Sequence, residues 1–329
     1  MRSLPSSNRI EGLDTVRAVA ALSVVFAHLL GPSMPGISRY IFTGHPAVIA
    51  FFVVSGFCIH YPYRFRGLQV APFLAGRFIR IVPPATAAFI LAQVLGMKAY
   101  NPIDGYILWS VVCEAVYYCL YPLILPISRR IGWPILIATS VIASYGVAIG
   151  LGSDGFGNAQ AYGPQLNWVV GLPAWLLGCY LAENFERLKL PGNVWGWRAA
   201  TAASASTLYW ATMNTGAGFY LTMVPFSALA GCWILGEIRS ASERGPISTM
   251  ESIGGACFSI YLVHAIAATA VERFVISTPA LVCLLSLALV YPFYRWIEKP
   301  SHGAARHAKK AIEELERRRR LKEGINLLG

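Results

Sequence analysis

Long apolar runs, broken at near-regular intervals by short polar or glycine- and proline-containing segments, dominate the chain. Ten of them have the length of about 17 to 25 residues that an α-helix needs to cross a hydrocarbon core of roughly 30 Å. They lie at approximately 13–31, 45–62, 79–97, 105–127, 132–150, 167–184, 195–213, 218–236, 253–271 and 279–297. Inside lipid a backbone must satisfy its own hydrogen bonds, so runs of this length are predicted to be helices. The pattern predicts an all-α, polytopic membrane protein with about ten transmembrane helices. Residues 1–300 read as one membrane domain and 301–329 as a basic, helical tail.

Composition agrees with the pattern: of 329 residues 56% are hydrophobic and 13% charged, and the mean hydropathy is +0.53. A water-soluble domain rarely shows that balance. The first run carries Asp14, Arg17 and His28 and is followed by no small-residue cleavage pattern, so it is expected to remain as a membrane helix. The net charge of +11 could suggest nucleic acid, yet the positions of the basic residues argue against it. With ten spans and a cytoplasmic N-terminus, 23 of the 27 Lys and Arg fall on the inner side, three outside (Arg39, Lys98 and Arg273), and Arg17 within a span. This positive-inside asymmetry predicts cytoplasmic N- and C-termini and membrane lipids, not nucleic acid, as partners. The seven cysteines fall inside predicted helices with no Cys-x-x-Cys pair, so they read as packing residues, with neither a disulfide framework nor a metal site. Gly152, Gly155 and Gly157 sit in a Gly-rich connector without a surrounding βαβ pattern and read as a flexible turn.

Chemistry is expected where the apolar pattern is interrupted. Arg17 and His28 are eleven residues apart, three turns plus roughly 20°, so they share one face of the first helix with Asp14 close by. A charge at bilayer depth costs at least a few kcal/mol, so this stripe points to a polar pathway. Arg77 and Arg80 are i,i+3 neighbours where the third run begins. Two guanidiniums beside a helix start could grip phosphates or simply anchor the protein at the inner surface. Ser110, Glu114, Tyr118 and Tyr121 fall in one narrow arc of the fourth run, with Trp109 beside them; Glu114 is expected to pair with Arg17 or to serve the site. Ser55-Gly56 suits close helix approach, and His264 is a second histidine at membrane depth. The tail from His302 to Lys322, with Arg317 to Arg320 consecutive, reads as an inner-leaflet anchor.

Taken in order, the segments Ile10 to Leu22 through His28, Phe51 to Ile59, Arg77 to Pro83, Trp109 to Tyr118, Tyr261 to His264 and Tyr294 to Pro300 resemble acyltransferase family 3, the integral membrane acyltransferases of bacterial surface carbohydrates. The resemblance spans nearly the whole chain. It implies an acyltransferase domain over residues 1–300, an acyl-CoA donor, with acetyl-CoA the expected form, entering from the cytoplasm, and no bound cofactor. It also implies a hydroxyl acceptor on an exopolysaccharide, lipopolysaccharide or lipochitooligosaccharide, and a place in the bacterial cytoplasmic membrane. Arg17 and His28 fall on the family's paired Arg and His, and Arg77 and Arg80 on its Arg-x-x-Arg motif.

At 1.5 Å per residue, Arg17 would lie roughly 6 Å from the inner end of the first helix and His28 roughly 22 Å. Arg77, Arg80 and Arg17 are then expected to attract the anionic donor. Buried, neutral His28 would take the acceptor's proton, with Glu114 orienting it. Ser110, Tyr118 or His264 would donate to the oxyanion or position the acceptor, and Asp14, Ser55 and Trp109 would help to position the substrate. The rival reading is a secondary transporter or flippase that uses Arg17, His28, Glu114 and His264 as a proton or substrate pathway.

Overall fold

The protein is described by a computed structural model at residues 10–101, 107–151, 162–188, 190, 193–215, 219–274 and 278–326. Among the described residues there are twelve α-helices and no strand. They are α1 (Leu13–Leu29), α2 (Gly44–His60), α3 (Val70–Val94), α4 (Trp109–Ile131), α5 (Trp133–Leu151), α6 (Gly163–Glu183), α7 (Val194–Asn214), α8 (Phe219–Arg244), α9 (Ser248–Gly255), α10 (Cys257–Phe274), α11 (Pro279–Phe293) and α12 (Lys299–Asn326). Among the described residues six helical segments are long and apolar enough to cross a membrane: Gly36–Tyr63, Val70–Val94, Trp109–Ile131, Trp133–Gly150, Cys257–Phe274 and Pro279–Leu321. The chain is a multi-pass membrane protein. The runs expected at 13–31, 167–184, 195–213 and 218–236 form α1, α6, α7 and α8 but are not among those six. Helix α1, with 17 residues, falls just short in length.

Helix α1 sits in the middle of the bundle and packs on α2, α8, α9, α10 and α11. Its first turn has four N–H groups without intrahelical acceptors, and the capping residue Gly12 has no side chain to offer. The acceptor comes from across the sequence. Glu251 of α9 receives hydrogen bonds from Gly12 N (3.2 Å), Thr15 N (3.0 Å) and Thr15 Oγ1 (3.0 Å), all on Oε1. Gly12 adopts φ +89°, and a Cβ there would lie 2.6 Å from the Glu237 carbonyl oxygen, so both the turn and the approach to α8 require glycine. Placing Glu251 in this way depends on a break at Ala256, which separates α9 from α10. The single helix expected over 253–271 therefore begins at Cys257.

Helices α2 and α6 make the most extensive contact. A Cβ on Gly56 would collide with the Trp175 carbonyl, and one on Gly178 with the Val53 carbonyl. The backbones can approach this closely only because both positions lack side chains. The close approach expected of Ser55-Gly56 is thus observed, with Gly178 as its counterpart. Around it, Phe52, Phe57, Tyr117 and Trp175 fill an aromatic core.

Two features reshape the end of the bundle that carries Arg77 and Arg80. Helix α3 begins at Val70, so Arg77 lies two turns inside it and the expected help from a helix N-terminus does not apply, because that effect fades within the first turn. The basic helix α12 lies along α3, with Lys309 against Gly76. A π-helical turn, Tyr294–Glu298, leads into α12, and buried Glu298 accepts hydrogen bonds from Ser259 N (2.9 Å) and Ser259 Oγ (2.5 Å).

Replacing Glu251 with alanine removes the acceptor of three hydrogen bonds at one helix end. It is expected to destabilise the folded protein by about 1–3 kcal/mol, read as a lower unfolding temperature in detergent; Glu251→Gln, which keeps an amide oxygen, should recover most of the loss. An unchanged midpoint for the alanine variant would show that α1 does not depend on this cap.

Candidate active site

A cavity of about 140 Å³ opens between α1, α2, α3, α4 and α10, and Arg17, Arg77, Arg80, Ser55, Ser110, Glu114 and Tyr118 all line it. Seven of the eleven expected site residues therefore meet in one space, although they come from four helices. Three of the seven are arginines. Arg17 is held in place by its neighbours: Nη1 donates to Asp14 Oδ1 at 2.5 Å and Nη2 to Cys58 Sγ at 3.0 Å. Arg77 lies over the rings of Phe73 and Tyr118, each 5.8 Å from its guanidinium carbon, a distance at which a cation is attracted to the ring face. Arg80, three residues on, is exposed. This end of the cavity is suited to an anion.

Glu114 is neither paired with Arg17 nor placed against His28. Its Oε1 accepts hydrogen bonds from Ser55 Oγ and Tyr118 Oη, both at 2.6 Å, and Trp175 Nε1 donates to the same Ser55 oxygen at 3.3 Å. Of the residues expected on one arc of α4, Ser110, Glu114 and Tyr118 line the cavity, whereas Tyr121 Oη meets His60 Nδ1 at 2.9 Å; the hydroxyls of Ser110 and Tyr118 are directed at protein partners. Tyr261 Oη donates to the Ile107 carbonyl at 2.5 Å, so Ser110 Oγ, 2.8 Å away, is the donor to Tyr261. The hydroxyl hydrogens of Ser110 and Tyr118, expected to face an oxyanion, are already engaged.

His28 and His264 form the second part of the site. His28 Nδ1 lies 2.8 Å from His264 Nε2, and the rings are stacked with centroids 5.1 Å apart and planes at 26°. His264 is completely buried, whereas His28 is exposed. The expectation of a buried His28 is met in part: its ring stacks on His264, while the residue as a whole is exposed. Neither histidine lines the cavity. Tyr261 connects the two parts, because it lines the cavity and its ring lies 6.4 Å from that of His264, one helical turn away.

A family profile described as an acyltransferase domain matches residues 10–295. The chain belongs to acyltransferase family 3. It is also similar to Nodulation protein 10 of Rhizobium leguminosarum bv. viciae, with 23% identity over 317 aligned residues that cover 79% of this chain and 83% of that protein. No solved structure matches.

The remaining expectations for this membrane acyltransferase separate into support and packing. Asp14, 5% exposed, is a partner of Arg17 and does not line the cavity. Trp109 is buried edge-on against Phe52, with ring centroids 6.0 Å apart, and also lies outside the lining; its large ring serves the core. All seven cysteines are free thiols, but Cys58 and Cys257 line the cavity and Cys58 holds Arg17, so they do more than pack. Sequence reading missed them because cysteine is common in apolar helices; the available signal was that Cys58 lies on the Ser55 side of α2, three residues on. Among the described residues no group of three His, Cys, Asp or Glu could hold a metal ion.

The two donors on Glu114 should be energetically coupled. Ser55→Ala and Tyr118→Phe should each cost about 1 kcal/mol. Together they should cost more than their sum, by about 0.5–3 kcal/mol, because the last donor to that oxygen is then lost. Thermal unfolding of the three variants in detergent measures this, and strict additivity would show that the donors act independently.

Proposed function

We propose that the protein transfers an acyl group from acyl-CoA to a hydroxyl of a carbohydrate or glycolipid acceptor. The expected setting is the bacterial cytoplasmic membrane, with about ten crossings and both termini in the cytoplasm. The observation that carries this reading is the arginine-lined cavity that reaches, through Tyr261, toward a paired histidine whose outer face is open. A donor with an anionic head and a narrow thioester arm has that shape and charge. Arg17, Arg77 and Arg80 would hold the phosphates bidentately. The arm would lie along Ser55, Glu114 and Ser110, with the thioester carbonyl near Tyr261.

The acceptor would approach from the exposed side of His28. Its hydroxyl oxygen attacks the thioester carbon while a nitrogen of His28 takes the proton. The tetrahedral adduct then collapses, the carbon–sulfur bond breaks, and the proton passes from the imidazolium to the departing CoA sulfur. The products are an ester and free CoA. Acetyl is the expected acyl group, and an exopolysaccharide, lipopolysaccharide or lipochitooligosaccharide the expected acceptor. Family membership favours this chemistry over the transporter reading.

Purified protein in lipid, given acetyl-CoA and an acceptor glycan, should release free CoA thiol and acylated glycan in equal amounts. Transport of the glycan without thioester consumption would overturn the reading. His28→Ala should lower kcat by about 10²–10⁴-fold, as expected for loss of a general base. Arg77→Ala should chiefly raise KM for acyl-CoA, as expected when binding shared by ground state and transition state is removed. An unaltered acyl-CoA dependence in the arginine variant would take Arg77 out of the donor site.

A further inference from the structure

The hydrogen bonds around His264 determine which nitrogen of His28 can act. His264 Nδ1 lies 2.8 Å from the Tyr261 carbonyl oxygen and 3.1 Å from that of Ile260. A carbonyl only accepts, so Nδ1 carries the hydrogen. With the ring neutral, His264 Nε2 then has a lone pair and no hydrogen. The contact of 2.8 Å to His28 Nδ1 needs one proton between the two nitrogens, and His28 supplies it. His28 Nδ1 is thus the N–H nitrogen, and its Nε2 is left as the bare one. The two ring nitrogens of an imidazole face different ways, so with Nδ1 turned to His264 the basic Nε2 is directed elsewhere, beside Gly44 at the start of α2, where a Cβ would lie 3.7 Å from it. The chain of two main-chain carbonyls, a buried imidazole and an exposed imidazole runs in one direction.

We propose that His264 is a positioning residue that holds His28 in the Nδ1–H tautomer and keeps Nε2 for the acceptor's proton. The inference rests on the reading of His28 as the base and assigns His264 a part different from substrate contact or oxyanion donation. In serine hydrolases the orienting group of a catalytic histidine is a carboxylate; here it is a second imidazole, itself oriented by α10's own backbone. When His28 takes a proton at Nε2 it becomes a cation, and its Nδ1–H continues to donate to the lone pair of His264. No second proton has to move. A neutral acceptor stabilises this cation less than a carboxylate would, so the proton is readily passed on to the CoA sulfur.

The test pairs kinetics with nitrogen NMR on histidine-labelled protein in lipid, His28 being assigned by comparison with His28→Gln. The wild-type spectrum should show His28 with a protonated Nδ1 and a bare Nε2. In His264→Leu this signature should disappear and kcat should fall roughly tenfold or more, as for loss of an orienting group, with KM for acyl-CoA held within about twofold. His264→Gln, whose amide oxygen can accept from His28 Nδ1, should restore both the signature and most of kcat. A protonated Nε2 on wild-type His28 overturns the proposal, as does full kcat in His264→Leu or a glutamine variant no better than leucine. Wild-type protein that consumes no acyl-CoA would overturn the proposed function instead, and the nitrogen spectrum would still decide the tautomer.

Discussion

A charged or hydrogen-bonding group in the interior of an apolar helix bundle persists only where a partner meets it, because an unpaired one costs several kcal/mol. Helix α1 is arranged around this constraint. Its first-turn amides are met by Glu251, Arg17 by Asp14 and Cys58, and His28 by His264. These partners come from α1 itself, α2, α9 and α10, so pairing the groups of one helix also fixes the relative positions of three others. The short α9 and the break at Ala256 fit this: on one unbroken helix Glu251 and His264, 13 residues apart, would point about 140° away from each other, whereas here both meet α1.

The same pairing divides the candidate site into two compartments of different character. The cavity carries three arginines and is lined by polar groups that satisfy one another. The histidine pair lies beyond Tyr261, outside the cavity and open on the His28 side. In the proposed reading donor and acceptor would enter the two compartments separately, which suits group transfer better than hydrolysis because water need not enter with the donor. Tyr261 stands where the two meet, with its hydroxyl fixed by Ile107 and Ser110.

Much of this was legible in the sequence, and the parts that were not share a cause. Apolar runs gave the helices, and the eleven-residue spacing put Arg17 and His28 on one face of the first helix; both lie on α1, but only Arg17 lines the cavity. The arc of Ser110, Glu114 and Tyr118 also survives as cavity lining. Periodicity describes one helix at a time, however, and partners across helices are invisible to it. Glu114 therefore went to Ser55 rather than to Arg17 or His28, and His264, which looked like a lone histidine, proved to be His28's neighbour. The start of α3 was placed too late because Arg77 and Arg80 interrupt the apolar pattern, although the apolar stretch Val70 to Gly76 before them belongs to the same helix. Trp109 was overvalued since a tryptophan beside a polar arc can face the core as easily as the site.

The engaged state of the donors bears on how such a site would work. Ser110 gives its hydrogen to Tyr261, Tyr118 to Glu114, and His264 Nδ1 to the backbone. A developing oxyanion would have to compete for any of these, and pulling a hydrogen from an existing partner recovers only the difference between two bonds. Of these, the bond that could be exchanged at least cost is Ser110's, because Tyr261 retains its own bond to Ile107 when Ser110 turns away. Breaking Tyr118 from Glu114 would instead leave a carboxylate with one fewer donor. Stabilisation of the adduct by a turning Ser110, with Glu114 kept as a fixed anchor of the cavity wall, is the arrangement that disturbs the fewest satisfied groups.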